Sequence, residues 1–298
     1  MNEVRSMLRA VRRHPLSQAA VWLPYRALRA TGVTVPRALY EHLEVRGVFE
    51  TAVPDGSSFR MRSYGHQIEN RVFWRGYDGY EPDTLRAWAS LSARARGVLD
   101  IGANTGLFSL VAGAASMGRA EIHAFEPLSR IAEKTRRNAD LNSHLRIRVH
   151  EVAVTDRSGE VTIFDPGGDH NYSASLDSSF LDLRPIDGRR VRGLTVDDFV
   201  RESGMSYVDL VKIDVEGCED RVLRGAESTI SNHRPRVVME LLPNASTEIM
   251  EAIRALLGRG YRLQRIGDGG RLIDTEMLQL REFAVSQRNI VLHPFPGL

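Results

Sequence analysis

From residue 97 onward, short apolar runs alternate with longer stretches whose apolar residues recur at helical spacing. Val98, Leu99 and Ile101 form a buried strand that breaks into Gly102-Ala103-Asn104-Thr105-Gly106, and Leu107 to Ala112 then opens a helix. Ala120 to Glu126 is the second strand, about Leu128 to Leu141 a helix, Arg146 to Ala153 the third strand, and Val161 to Asp165 a further short one. Thr195 to Ser203 forms a helix, Val208 to Asp214 the fourth strand, and Val237 to Glu240 the fifth. Thr247 to Leu257 is again helical, Tyr261 to Ile266 is the sixth strand, and Arg288 to Leu292 the seventh. Alternation of this kind predicts an α/β fold: a Rossmann-like, seven-stranded and mostly parallel sheet with helices on both faces. Residues 166–192 interrupt it, are rich in Gly, Ser, Asp and Arg, and lie where a substrate lid would sit.

The first 80 residues read as an N-terminal helical and hairpin extension, leaving 81–298 as the main domain with its loop insertion at about 166–192. Val4, Met7, Leu8 and Val11 share a helical face opposite Arg5, Arg9, Arg12 and Arg13, a basic helix that either packs on its own domain or lies on an anionic membrane. Glu44 to Val53 and Ser57 to Arg62 form a hairpin across Pro54-Asp55-Gly56. Phe73 to Pro82, dense in glycine and aromatics, reads equally as a pocket wall or a surface loop; Glu81 from this stretch is counted among the cofactor-binding residues.

Composition narrows the function. A net charge of +2, with basic residues scattered apart from the N-terminus, gives no pointer to nucleic acid. The single Cys218 excludes an intramolecular disulfide and suits a cytoplasmic protein. No apolar run approaches the ~20 residues of a membrane helix, and no signal-peptide pattern is present. Lysine occurs only at 134 and 212 in an arginine-rich chain, which makes Lys212 stand out.

Candidate chemistry collects at the carboxyl ends of the strands, where open α/β sheets bind ligands. The glycines run Gly102-x-x-x-Gly106 behind Asp100, so the dinucleotide fingerprint is incomplete. An uncrowded Asp100 facing the turn would repel a diphosphate and attract an ammonium group. S-adenosylmethionine carries such a group, and the turn resembles motif I of the class I methyltransferases that use it. Glu126, 26 residues after Asp100, is placed to accept hydrogen bonds from the ribose hydroxyls, and Glu151 and Val152 to lie beside the base. Lys212-Ile213-Asp214-Val215-Glu216-Gly217-Cys218-Glu219 puts Lys212 and Asp214 on one face of a strand whose buried positions should be apolar. That pair is either functional or a structural ion pair, and Glu219 reads as favourable charge at the next helix's start.

Taken together, Asp100-Ile-Gly102-Ala-Asn104-Thr-Gly106-Leu-Phe-Ser109, Ala-Phe-Glu126-Pro127, Asn138, Asn142, Val152-Ala153-Val154, Asp209 to Glu219, and Val222-Leu-Arg-Gly-Ala226 closely resemble the FkbM family. The resemblance implies a class I methyltransferase fold and S-adenosylmethionine-dependent transfer to a hydroxyl of a sugar, glycolipid or other natural product. The cofactor-binding candidates are then Glu81, Asp100, Gly102, Asn104, Gly106, Glu126, Pro127, Glu151, Val152 and Ala153. Asp214, Lys212, Glu216 and Glu240 are the catalytic candidates. Asp214 serves either as general base or, with Glu240 and Asn244, as a ligand of Mg²⁺. His170 and His233 are weaker base candidates. The rival functions are an NAD-dependent oxidoreductase and an RNA-modifying or nucleic-acid-binding protein on the same fold; the first lacks its glycine spacing and the second its basic stripe.

Overall fold

A computed structural model describes residues 24–25, 27–32, 34–40, 43–54, 57–165, 167, 175, 188–242, 245–280 and 289–295. The basic helix expected near the N-terminus, the turn residues Asp55 and Gly56, His170, Asn244 and most of the expected lid lie outside them. The described residues form two compact units: one runs to Glu81 without residues 53–57, and the other takes 53–57 and everything from Pro82.

In the first unit, β1 (Arg46–Ala52) and β2 (Ser58–Tyr64) pair antiparallel from Arg46↔Tyr64 to Ala52↔Ser58. Alternation along both strands buries Phe49, Phe59 and Met61, as a one-faced hairpin requires. After the short α1 (Arg37–Tyr40), the chain folds α2 (Gln67–Arg75), whose first turn is closed by His66 Nδ1 accepting from Ile68 N (3.4 Å) and Glu69 accepting from His66 N (3.0 Å).

The second unit starts with α3 (Pro82–Ser92) and β3 (Gly97–Ile101), followed by α4 (Leu107–Ala115), β4 (Glu121–Phe125), α5 (Ser129–Asp140) and β5 (Ile147–His150). A small sheet follows, built of β6 (Ala153–Val154), β7 (Gly159–Phe164) and β8 (Gly188–Leu194) in the order β6-β8-β7. The main sheet resumes with α6 (Val196–Ser203), β9 (Leu210–Ile213), α7 (Glu219–Arg224), α8 (Glu227–His233) and β10 (Arg236–Glu240). It ends with α9 (Thr247–Gly258), β11 (Tyr261–Gly267), β12 (Arg271–Asp274) and β13 (Asn289–Pro294).

The main sheet has the order β12-β11-β13-β10-β9-β3-β4-β5. Strands β10, β9, β3, β4 and β5 are mutually parallel, while β13 is antiparallel to both β10 and β11. The fold is the expected mostly parallel Rossmann-like α/β sheet, with eight strands rather than seven. The addition is β12, an edge strand turned back through Gly269 and Gly270; it is four residues long and its one apolar pair, Leu272-Ile273, is not buried, so it gave no clear strand pattern. Val161 to Asp165 belongs to the small sheet, not the large one. Residues 188–192, expected to be loop, are strand; Arg189, Arg190 and Arg192 are exposed there, which hid the alternation. The expected third strand divides, because Glu151 and Val152 separate the main-sheet β5 from β6.

Candidate active site

The turn after β3 is built from backbone. Gly102 N and Ala103 N both donate to Phe125 O (3.0 and 2.9 Å), which ties the turn to the end of β4. Gly102 sits at φ 80°, and a Cβ there would overlap the main-chain oxygen of Asp214, so glycine is required on both counts. Asn104 also takes a left-handed conformation (φ 52°), with its side-chain oxygen accepting from Thr105 N at 2.7 Å. Asn138 Nδ2 donates to Thr105 O (2.8 Å) and Thr135 Oγ1 to Asn104 O, so α5 holds the outer rim of the turn. Gly106 (φ 87°) starts α4.

Asp100 is not uncrowded, as the sequence reading has it. Its side chain is fully enclosed: Oδ2 accepts from Ser109 Oγ at 2.6 Å, and Oδ1 has no hydrogen-bond partner among the described residues. Burial pushes its carboxyl pKa up, against the pull of Lys212, which lies opposite it across β3 and β9. At Asp100 desolvation thus outweighs the neighbouring ammonium in setting the direction of the shift. Glu126 is almost as enclosed. Its Oε2 accepts from Asn104 N (3.1 Å) and its Oε1 from Leu128 N (3.0 Å). Burial still raises its pKa to about 7.

Pro127 follows Glu126 directly. Glu151, past the end of β5, is bound by Ser129 Oγ and by Arg136 Nη2 at 2.7 Å, and those contacts lower its pKa. Val152 and Ala153 are buried, in the main core and under the small sheet respectively. Glu81 closes the first unit at φ 45°.

At the end of β9, Lys212 Nζ contacts Asp214 Oδ2 at 2.8 Å. The two differ in access: the lysine side chain is 3% exposed and the aspartate 31%, so Asp214 is the member a solute can reach. Phe108, in the first turn of α4, lies under the ammonium at 4.4 Å, a cation–π contact whose only sequence signal was the helix register after Gly106. Glu216 is held at φ 54° in the following turn, where Ser175 Oγ, from the expected insertion, donates to its carbonyl at 2.8 Å. Glu219 turns inward, its Oε1 accepting from Val215 N (3.3 Å) and Gly217 N (3.2 Å), and burial raises its pKa to about 7. Glu240 ends β10 beside β9, one step past the Met239↔Ile213 pair. Among the described residues no three His, Cys, Asp or Glu side chains are grouped to hold a metal ion. His233 closes α8 ahead of β10, at the opposite edge of the sheet from Asp214.

Asp100, Glu126, Lys212 and Asp214 thus meet around one glycine turn. A profile of the methyltransferase FkbM domain matches residues 100–263, more than half of the 298 residues. This chain belongs to the FkbM methyltransferase family. The FkbM match removes the oxidoreductase alternative. The 31-O-demethyl-FK506 methyltransferase FkbM of Streptomyces tacrolimicus is 30% identical over 189 residues, covering 55% of this chain and 72% of that protein. The 2-O-methyltransferase NoeI of Sinorhizobium fredii is 29% identical over 127 residues, 39% of this chain and 51% of NoeI. A solved methyltransferase FkbM from Methylobacillus flagellatus aligns with a TM-score of 0.45 at 18% identity, covering 76% of this chain and 52% of that one. The chain thus spans about half the length of NoeI and of that solved chain.

Proposed function

We propose that this FkbM-family methyltransferase moves the methyl group of S-adenosylmethionine to a hydroxyl oxygen of a sugar, glycolipid or similar small-molecule acceptor, with Asp214 as general base. The observation that carries the reading is the unequal burial of the Lys212–Asp214 pair, which leaves one carboxylate open to solvent on an otherwise enclosed charge cluster. The names of two relatives, a 2-O- and a 31-O-methyltransferase, support oxygen as the acceptor atom.

The residues fit the cofactor. Asp100 keeps an oxygen without a partner, beside a turn from which glycine has removed the side chain, and Glu126 has lone pairs left after its two backbone donors. Asp100, Gly102 and Asn104 would hold the amino-acid end, Glu126 the ribose, and Glu151 to Ala153 the base. Bound there, the cofactor supplies an electrophilic sulfonium methyl. Asp214 takes the proton from the acceptor hydroxyl, which is too weak an acid to lose it unaided. Lys212 fixes the carboxylate through its 2.8 Å contact.

Asp214 and Glu240 are also the candidate Mg²⁺ ligands; activity lost to EDTA and restored by Mg²⁺ would assign Asp214 to the metal, and indifference leaves it as the base. The test of function is a mass-spectrometric screen of glycan and glycolipid extracts with the cofactor. Gain of a methyl on oxygen is the expected result; methylation confined to nitrogen or carbon overturns the reading. Among the described residues no helix is long and apolar enough to cross a membrane. The cytoplasm is where we place the reaction, on the free thiol of Cys218.

A further inference from the structure

Six connections lead from a helix into a strand of the main sheet: 93–96, 116–120, 141–146, 204–209, 234–235 and 259–260. All six lie on one edge, opposite the glycine turn, because the strands they enter run in the same direction. They contain Arg94, Arg96, Arg119, Arg146, Arg234 and Arg259, against a single acid, Asp209. The connections of a chain of net charge +2 thus carry an excess of five positive charges, six arginines less one aspartate, and Glu227 beside Arg259 brings the excess to four. The arginines look scattered in sequence because each belongs to a different connection.

Apolar side chains stand among them. Met117 is 58% exposed, Tyr207 49% and Phe295, just past β13 and bonded to Gly260 O, 52%. In strand order from β11 to β5 the edge alternates Arg259, Phe295, Arg234, Tyr207, Arg96, then Met117 with Arg119, and Arg146. At about 4.8 Å per strand this row is roughly 29 Å long.

Local stability accounts for only part of it. Helix C-termini favour cations, which explains the sign of the charge but not the exposed apolar residues. Met117, Arg146 and Arg234 sit at φ 53°, 52° and 47°, positions after helices where glycine is the unstrained choice. Arg119 donates to Ala93 O, Arg146 to Arg119 O and Arg234 to Arg259 O, so these guanidinium groups lie along the edge and pair with no carboxylate among the described residues. Arg96 and Arg259 do pair, with Asp209 and Glu227.

We propose that this edge docks the enzyme on a bilayer rich in anionic phospholipid, with Met117, Tyr207 and Phe295 entering the interface and the arginines on the headgroups. A nucleic acid fits less well. The connections run two to six residues and hold no helix longer than the single 3-10 turn Ser143–Leu145, too short to fill a groove, and Arg96 covers the ring face of Tyr207 at 3.5 Å, where a base would stack. Docked this way, the glycine turn faces away from the bilayer, toward a dissolved acceptor.

The experiment is co-sedimentation of the full chain with phosphatidylcholine vesicles, with and without phosphatidylglycerol, at low and high salt. Binding should require phosphatidylglycerol and weaken with salt. Each arginine near an anionic surface is worth about fivefold, so Arg146→Gly with Arg234→Gly should cut partitioning roughly 25-fold. The same pair removes two strained positions but also the arginines' hydrogen bonds to main-chain oxygens, so a thermal melt accompanies the assay to show that the variant is folded. Arg119→Glu is a second variant that leaves the backbone alone and should also weaken binding; Met117→Asn, which tolerates the same φ, should weaken it a few-fold. Equal pelleting with pure phosphatidylcholine, no effect of the arginine changes, or tighter retention on a single-stranded oligonucleotide than on the anionic vesicles would each overturn the proposal.

Discussion

With Glu126 on the ribose as proposed, cofactor affinity should depend on pH in a range where S-adenosylhomocysteine itself does not titrate. Its folded-state pKa is about 7, set by burial against the two backbone donors that favour the charged form. Ribose hydroxyls donate, and only the ionised carboxylate offers full acceptor capacity, so the free site must lose a proton to bind well. The apparent dissociation constant should then rise by the factor 1 + 10^(pKa − pH), from near unity at pH 8 to about elevenfold at pH 6, a difference of about 1.4 kcal/mol. Calorimetric titration with the unreactive product S-adenosylhomocysteine, repeated between pH 5.5 and 8.5, reads this directly. Proton release should also appear as a dependence of the measured heat on the buffer. Glu126→Gln should bind more weakly and lose the slope. Glu219 has a pKa in the same range, so Glu219→Gln serves as the control and should keep the slope. A flat profile in the wild type, or an unchanged one in Glu126→Gln, would refute the assignment of Glu126 to the ribose.

Three further outcomes follow from the same geometry. Asp214→Asn should lower kcat by roughly 10²–10⁴-fold while leaving S-adenosylhomocysteine affinity nearly unchanged, and loss of both together would make Asp214 a structural residue. Gly102→Ala combines a left-handed φ with overlap onto Asp214 O and should destabilise the fold by more than about 3 kcal/mol in urea titrations; a stability within 1 kcal/mol of wild type would contradict the packing described. For Glu219, a folded-state pKa raised from 4.5 to about 7 means the native state binds the proton more tightly than the unfolded chain. Its contribution is complete below pH 4.5 and is lost as pH rises through 7, about 3 kcal/mol in all, so Glu219→Gln should gain on the wild type at pH 8 but not at pH 5.

The glycine turn, the acid at the end of β4 and the Lys212–Asp214 pair were legible in sequence, because each breaks a strong apolar pattern at a fixed place. What stayed hidden depends on contacts between distant segments. The enclosure of Asp100 needs Ser109 one helical turn into α4 and the covering of both sheet faces, and an isolated D-x-G turn records neither. Strand β12 has only Leu272 and Ile273, neither buried, and the arginine-rich β8 only Val191 and Leu194, too few for a clear apolar pattern, since one is an edge strand and the other lies in a small sheet. The row of arginines opposite the site appears only once strand order and direction are known.

Gly102 and Asp214 touch through backbone alone: the carbonyl of one fills the space a side chain would need on the other. Asp214 N in turn donates to Ile101 O at 3.0 Å, so the turn and the end of β9 are fastened on both sides. The spacing of the glycine turn and the Asp214 main chain is therefore set by main-chain contacts. Under the roles proposed for the turn and for Asp214, loops beyond this seam could vary in sequence without moving the two apart.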